Sequence, residues 1–186
     1  MVTILSLWLP ILLAAIAVFV VSSLVHMVLR YHKSDYRRLP DEDAVVEVLG
    51  RSTLTPGLYH FPYCESPKEM GSEEMLGKFE RGPVGLLTVL PSGAPSMGKL
   101  LGLWFVYCAV VSLFVAYLTG RTMSPGADFS AVFRVAGTVA FMTYGLSQVV
   151  DSIWKGATWS ITAKNLLDGL LYALATAAVF GWLWPR

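Results

Sequence analysis

Polar and ionisable side chains recur at helical spacing inside the apolar stretches of this chain. Such residues are costly in an apolar environment and tend to mark a binding site or a contact between helices. The first apolar stretch begins at Ile4, and at its end Ser22, His26 and Arg30 occupy successive i, i+4 positions and therefore share one helix face. The side chains that we single out as a candidate binding site are His26, Arg30, Tyr144, Gln148, Asp151, Asp168 and Tyr172.

Asp168 is the strongest of these candidates because it lies inside its apolar stretch rather than at the edge. Its nearest partner by sequence is Lys164, one helical turn earlier. We expect Arg30 or His26 to supply a second partner from another part of the fold. A histidine beside a carboxylate is suited to acid–base chemistry. The third and fourth apolar stretches, residues 129–150 and 166–184, each carry a polar face. We expect these two faces to lie opposite each other across a polar cleft that opens to the cytoplasm.

The alternative is that these residues serve structure alone. Arg30 and Asp151 lie at predicted membrane edges, where charged side chains reach water at little cost. Tyrosines near a membrane interface belong to the usual aromatic belt. Small residues in the same stretches suit close helix packing; they are Gly137, Gly145, Gly169, Gly181, Ala173, Ala175, Ala177 and Ala178. The residues leave both interpretations open.

No metal or cofactor site is predicted. The chain has three histidines, and His26 and His32 are six positions apart, a spacing that does not place them on one helix face. His60 lies in a separate, more polar segment. No HExxH, CxxC, Walker or GxSxG motif occurs. We therefore expect no bound metal ion, haem or other cofactor.

The composition is typical of a membrane protein. The 186 residues are 55% hydrophobic and 15% charged, whereas a soluble domain is about 45–50% apolar and about 25% charged. About 20 apolar residues cross a bilayer as a helix, and four stretches are long enough. They are Ile4 to Leu29 within residues 1–30, then Leu100 to Gly120, Phe129 to Val150 and Leu166 to Trp184 within residues 100–186. The predicted fold class is an all-α membrane protein with four transmembrane helices.

A basic cluster follows the first stretch, in the sequence HMVLRYHKSDYRRLPDED of residues 26–43. Lysines and arginines beside a membrane helix favour the cytoplasmic side. Four helices then place both termini outside the cytoplasm. With that orientation, nearly all of the 14 lysines and arginines lie on the cytoplasmic side. The exceptions are Arg121, Arg134 and Arg186.

Residues 31–99, the cap segment, are predicted to form a small cytoplasmic cap. Pro40 to Asp43 favours the start of a helix, because proline and acidic residues suit its first turn. Ser66 to Glu69 has the spacing of a capping box and predicts a second helix. Leu58 to Phe61 and Val84 to Leu90 are strand candidates that would pair as a two-stranded ribbon. A disordered loop is the alternative.

Four stretches of the chain, HMVLRYHKSDYRRLPDED, PGLYHFP, GPVG and the terminal WLWP, carry a resemblance. Together they resemble an uncharacterised family of small bacterial multi-pass inner-membrane proteins. The resemblance implies a location in the bacterial inner membrane, and it implies no activity, fold or ligand.

Three functions are compatible with these features. The first is a non-enzymatic accessory component that binds a partner membrane protein or forms a homo-oligomer. The second is a small ion or solute transporter or channel that uses the polar cleft. The third is a membrane enzyme that acts on a lipid or quinone, with His26 and Asp168 as acid–base groups. The absence of catalytic motifs and the patterned cap segment favour the first, which is not an enzyme, and the third has the least support. The net charge of +1 gives no reason to expect a nucleic acid as partner, whereas the lipid bilayer is expected to surround the chain.

Overall fold

The computed structural model describes all residues from Met1 to Arg186 and divides into two compact units. The helical unit contains residues 1–36 and 96–186, and the small unit contains residues 37–95. The helical unit has four helices that are long and apolar enough to cross a membrane. These first to fourth spans are Ile4–Leu29, Met97–Thr122, Phe129–Trp154 and Trp159–Trp182. The prediction of a mostly helical chain with four candidate membrane spans is therefore confirmed, as far as length and composition decide it.

The first and third spans each change helix type along their length. The first begins as a 3₁₀ turn at Ile4–Leu7, continues as an α-helix at Trp8–Ser23 and ends as a π-helix at Leu24–Leu29. The third is an α-helix at Phe129–Tyr144, followed by a 3₁₀ turn and a short α-helix at Val149–Trp154. Short π-helical segments within α-helices are rare and occur frequently at functional sites.

The fourth span begins earlier than the sequence predicts. Its first residue is Trp159 rather than Leu166, because Lys164 and Asn165 continue the helix instead of preceding it. Lys164 forms an ion pair with Asp35, with 2.5 Å between Nζ of the lysine and Oδ1 of the carboxylate.

The third and fourth spans pack closely because their facing residues are small. Gly137 faces Ala177, and Gly181 lies against the ring of Phe129. At Gly169 the fourth span approaches the backbone of Gly145 so closely that a side chain there would overlap it. The predicted role of these glycines in close helix packing is confirmed.

Backbone bonds tie the span ends near the two termini of the chain. The amide of Val2 donates to the carbonyl of Gly120, at 3.0 Å, and the amide of Gly126 donates to the carbonyl of Pro185, at 2.8 Å. The indole Nε1 of Trp184 donates to the carbonyl of Ser124, at 2.9 Å. These bonds satisfy polar groups where the helices end.

The small unit has short helices at Glu42–Arg51, Pro67–Met70 and Glu73–Arg81. Its two strands, β1 at Gly57–Phe61 and β2 at Gly85–Val89, pair antiparallel with Tyr59 opposite Leu87. The predicted two-stranded ribbon is confirmed. The hydroxyl of Ser66 accepts the amide of Glu69, at 3.2 Å, as the capping-box spacing predicts. Residues 31–36, which the sequence placed in the cap segment, belong to the helical unit.

We expect Gly169→Ala to destabilise the helical unit by about 1–3 kcal/mol, since the added methyl group forces the third and fourth spans apart. The measurement is thermal unfolding in one mild detergent. Gly102→Ala is the matched control, because Gly102 is also helical and a side chain there meets open space. Equal melting temperatures for the two variants would contradict this account of the packing.

Candidate functional site

A cavity of about 600 Å³ lies within the helical unit and is lined by residues from all four spans. Pockets that bind small molecules commonly enclose about 300–1,000 Å³. Its lining residues are Ser22, Ser23, His26, Met27, Met97, Leu101, Trp104, Tyr107, Tyr144, Gln148, Asn165, Asp168 and Tyr172. The cavity is therefore large enough to hold a small organic ligand.

Most of the cavity wall is apolar or aromatic. The ring of Trp104 stacks on Tyr107, with 5.5 Å between centroids, and Tyr144 meets Tyr172 edge to face at 5.6 Å. Trp104 is held in place because its Nε1 donates to Oγ of Ser22, at 2.9 Å. Aromatic rings arranged in this way provide a large, rigid apolar surface.

Two tyrosine hydroxyls in the wall have no hydrogen-bond partner within the chain. Tyr144 and Tyr172 are each only 5% exposed, and their buried hydroxyl groups are both unpaired. A buried hydroxyl without a partner costs about 1–3 kcal/mol. A polar atom of a ligand or a water molecule inside the cavity would remove that cost.

One end of the cavity is polar and is built around Asp168. This carboxylate is 5% exposed. The hydroxyl of Tyr31 donates to its Oδ1, and Nε2 of His32 lies 2.8 Å from its Oδ2. Nε2 of His26 lies 4.0 Å from the same oxygen. Several polar groups therefore compensate for the burial of this charge.

A sharp turn in the chain brings His32 to Asp168. The π-helix ends at Arg30, which has a left-handed backbone conformation with φ 51°, and Tyr31–Ser34 then form a 3₁₀ turn. The rings of His26 and His32 consequently stack, with 4.7 Å between centroids and 2° between planes. The two histidines therefore meet without sharing one helix face, because the turn at Arg30 interrupts the helix between them.

Asp35 and Lys164 hold this turn against the fourth span. Nδ1 of His32 lies 2.6 Å from Oδ2 of Asp35, while Nζ of Lys164 donates to Asp35, to the carbonyl of Tyr31 and to Oγ of Ser34. The Lys164 hydrogen bond is the main reason why the pKa of Asp35 lies below its usual value. Asp35 is therefore ionised at neutral pH, and its charge orients both partners.

The structure brings five of the seven predicted site residues to the cavity. They are His26, Tyr144, Gln148, Asp168 and Tyr172. Arg30 does not line the cavity, and its Nε donates to the carbonyl of Met27, at 3.3 Å. Asp151 also lies outside the lining and pairs with Lys155, at 2.7 Å. Both therefore fit the alternative of charged residues at a span edge.

The expected partners of Asp168 were partly wrong. Lys164 pairs with Asp35 instead, and Arg30 does not reach the carboxylate. Sequence reasoning missed Tyr31, His32 and Asp35, which contact Asp168 or its partners. Their position directly after the first span was a usable signal, because that end of the first span lies at the same end of the helical unit as the start of the fourth span.

We expect Lys164→Met to destabilise the helical unit by about 2–4 kcal/mol, because it leaves the largely buried carboxylate of Asp35 without its cation. Thermal unfolding in detergent measures the effect. Lys155→Met is the matched control, since its ion pair with Asp151 is exposed on both sides and contributes less than about 1 kcal/mol. A smaller loss for Lys164→Met than for Lys155→Met would contradict the described role of the Asp35 pair.

No family model, no curated protein and no solved structure matches this chain.

Proposed function

We propose that this protein binds an amphipathic molecule taken from the surrounding bilayer and acts on its polar head. The observation that carries the proposal is a cavity with an aromatic wall that ends at one buried carboxylate, Asp168. The apolar part of the ligand lies against Trp104 and Tyr107. The head lies near Asp168 and His26.

The rim of the cavity favours a ligand that arrives through the membrane. Met27 is 71% exposed and Met97 is 60% exposed, although both line the cavity. In a bilayer, such exposed apolar side chains on spans are in contact with acyl chains. A ligand with a long apolar tail therefore enters without leaving the hydrocarbon region.

The groups at the polar end suit acid–base chemistry on an oxygen-rich head. Imidazole and carboxylate side chains within hydrogen-bond reach of one another can pass a proton to or from a bound oxygen atom. A quinone and a lipid head group share the oxygen acceptors that such groups recognise. This makes the membrane enzyme that acts on a lipid or quinone the best supported of the three functions.

The other two functions stay predictions. An accessory subunit or homo-oligomer needs a partner surface, and the exposed apolar side chains of the spans are equally suited to lipid. A transporter or channel needs a route to both sides of the membrane, and the cavity described above accounts for one polar end only.

We expect Leu101→Trp to reduce the amount of lipid or quinone that copurifies with the protein at least about fivefold, because the larger ring fills the cavity. Mass spectrometry of an organic extract measures the bound molecule and distinguishes a quinone from a phospholipid. Leu113→Trp is the matched control: Leu101 and Leu113 lie on the same span and are 44% and 42% exposed, but only Leu101 lines the cavity. An unchanged amphiphile content in Leu101→Trp, or an equal loss in Leu113→Trp, would overturn the proposal.

The proposed location is a bacterial inner membrane, with both termini outside the cytoplasm. The positive charges that follow the first span support this orientation. Residues 31–99 then lie in the cytoplasm, and the connection between the second and third spans lies outside.

Labelling with a membrane-impermeant maleimide tests the orientation in intact cells. We expect Cys64 to react only after the membrane is permeabilised, in a Cys108→Ala background. Ser124→Cys, made with both native cysteines replaced by alanine, is expected to react before permeabilisation. The opposite pattern would show that the orientation is reversed.

A further inference from the structure

We infer that His26, His32 and Asp168 form a binding site for a divalent transition-metal ion. Each residue offers one donor atom, and the three atoms lie within 4.8 Å of one another. The two imidazole rings come from either side of the turn at Arg30, and the carboxylate comes from the fourth span. Two histidines and one carboxylate are a common donor set for catalytic zinc and for non-haem iron.

The hydrogen bonds on the far side of each ring favour metal binding. Nδ1 of His26 lies 3.0 Å from the carbonyl oxygen of Ser22, and Nδ1 of His32 lies 2.6 Å from a carboxylate oxygen of Asp35. Both oxygens are acceptors, so a hydrogen on each Nδ1 satisfies them. Without a metal ion, a proton between Nε2 of His32 and Oδ2 of Asp168 makes their 2.8 Å contact a hydrogen bond. A metal ion that replaces this proton would meet the Nε2 lone pairs of both rings.

This arrangement leaves electron pairs from two rings and one carboxylate directed at the same region. Such a group of acceptors requires a cation between them, either a proton or a metal ion. The link from Asp35 through His32 to Asp168 has the form of a carboxylate–histidine–metal arrangement, in which the outer carboxylate fixes the ring and raises its basicity. A site for a proton alone does not need that second histidine.

The chemistry of the donors selects the class of metal. Imidazole nitrogen suits Zn²⁺, Fe²⁺ and similar ions, whereas Mg²⁺ and Ca²⁺ prefer oxygen ligands. Metal–ligand distances of about 2.0–2.2 Å place the donors of a tetrahedral site about 3.4 Å from one another. Nε2 of His32 and Oδ2 of Asp168, which are 2.8 Å apart, must therefore separate slightly, whereas Nε2 of His26, 4.0 Å from that oxygen, must approach it. The side chain of His26 is 52% exposed and has room to make that movement.

Three protein ligands leave one coordination position open in a tetrahedral site. His26 and Asp168 also line the cavity, so the open position is available from inside it. All three donor atoms belong to this chain, so metal binding does not require a ligand in the cavity. An oxygen of the bound head group would take the open position, and only this last step rests on the proposed function.

Metal analysis of the purified full-length protein tests the inference. After exposure to Zn²⁺ and removal of excess metal, we expect about one zinc per chain in the wild type, as in other three-ligand sites. The double variant His26→Ala/His32→Ala is expected to retain less than about a tenth of that amount. His60→Ala is the matched control, because His60 is exposed in the small unit and outside the site, and it should retain the full amount.

A second variant covers the case in which the double variant fails to fold. His26→Ala alone removes one ligand, whose side chain is 52% exposed, and it leaves the Asp35–Lys164 ion pair intact. We expect an affinity for Zn²⁺ that is at least about 10-fold weaker. The visible absorption of bound Co²⁺ reports the same loss independently of activity. Equal zinc in the wild type and the double variant, or an unchanged affinity in His26→Ala, would overturn the inference.

The same samples separate this inference from the proposed function. Lipid extracts are analysed alongside the metal content. Zinc at one per chain with no bound amphiphile would support the metal site and count against the amphiphile. Bound amphiphile with no zinc would overturn the metal site and leave the amphiphile supported.

Discussion

The buried carboxylate of Asp168 is the constraint on which the local structure depends. An ionised group in an apolar environment is costly unless it is paired and hydrogen-bonded. Tyr31 and His32 satisfy it, and both come from the segment that follows the first span. That segment must therefore fold back towards the fourth span. At this turn Arg30 adopts a left-handed backbone conformation. This conformation is uncommon for a residue other than glycine, and it is the conformational cost of folding the segment back.

Close packing of the third and fourth spans supports the same site from the other side. Gly169 follows Asp168 directly and contacts the backbone of Gly145. Gly145 ends the long α-helix of the third span, and Tyr144 immediately before it lies in the cavity wall. Glycine is a weak helix former, and it has no side chain to keep another helix away. The end of the α-helix and the close approach of the fourth span therefore coincide at Gly145. The packing of small residues therefore places both the carboxylate and part of the aromatic wall.

Features that depend on neighbouring residues were predictable from the sequence, and features that depend on tertiary structure were not. The Ser66 cap, the positions of the two strands and the presence of small residues for helix packing follow from local spacing and residue size. The meeting of His26 and His32 does not, because it requires a π-helix and a left-handed residue between them. The partner of Lys164 was assigned to Asp168 on helical spacing alone. The structure instead pairs it with Asp35, since a lysine reaches across to another segment as readily as along its own helix.

The balance of charge around His32 connects the proposed metal site to the type of ligand proposed for the cavity. Asp35 and Asp168 each carry a negative charge when ionised, and Lys164 neutralises one of them. A proton on His32 would make the cluster neutral, whereas a divalent ion would leave it with a net positive charge. Within an apolar environment, where charges interact strongly, a positive cluster favours an anionic head such as a phosphate, and a neutral one favours an uncharged head such as a quinone. Under the two proposals, the cation that occupies the cluster would therefore determine which amphiphile the cavity prefers.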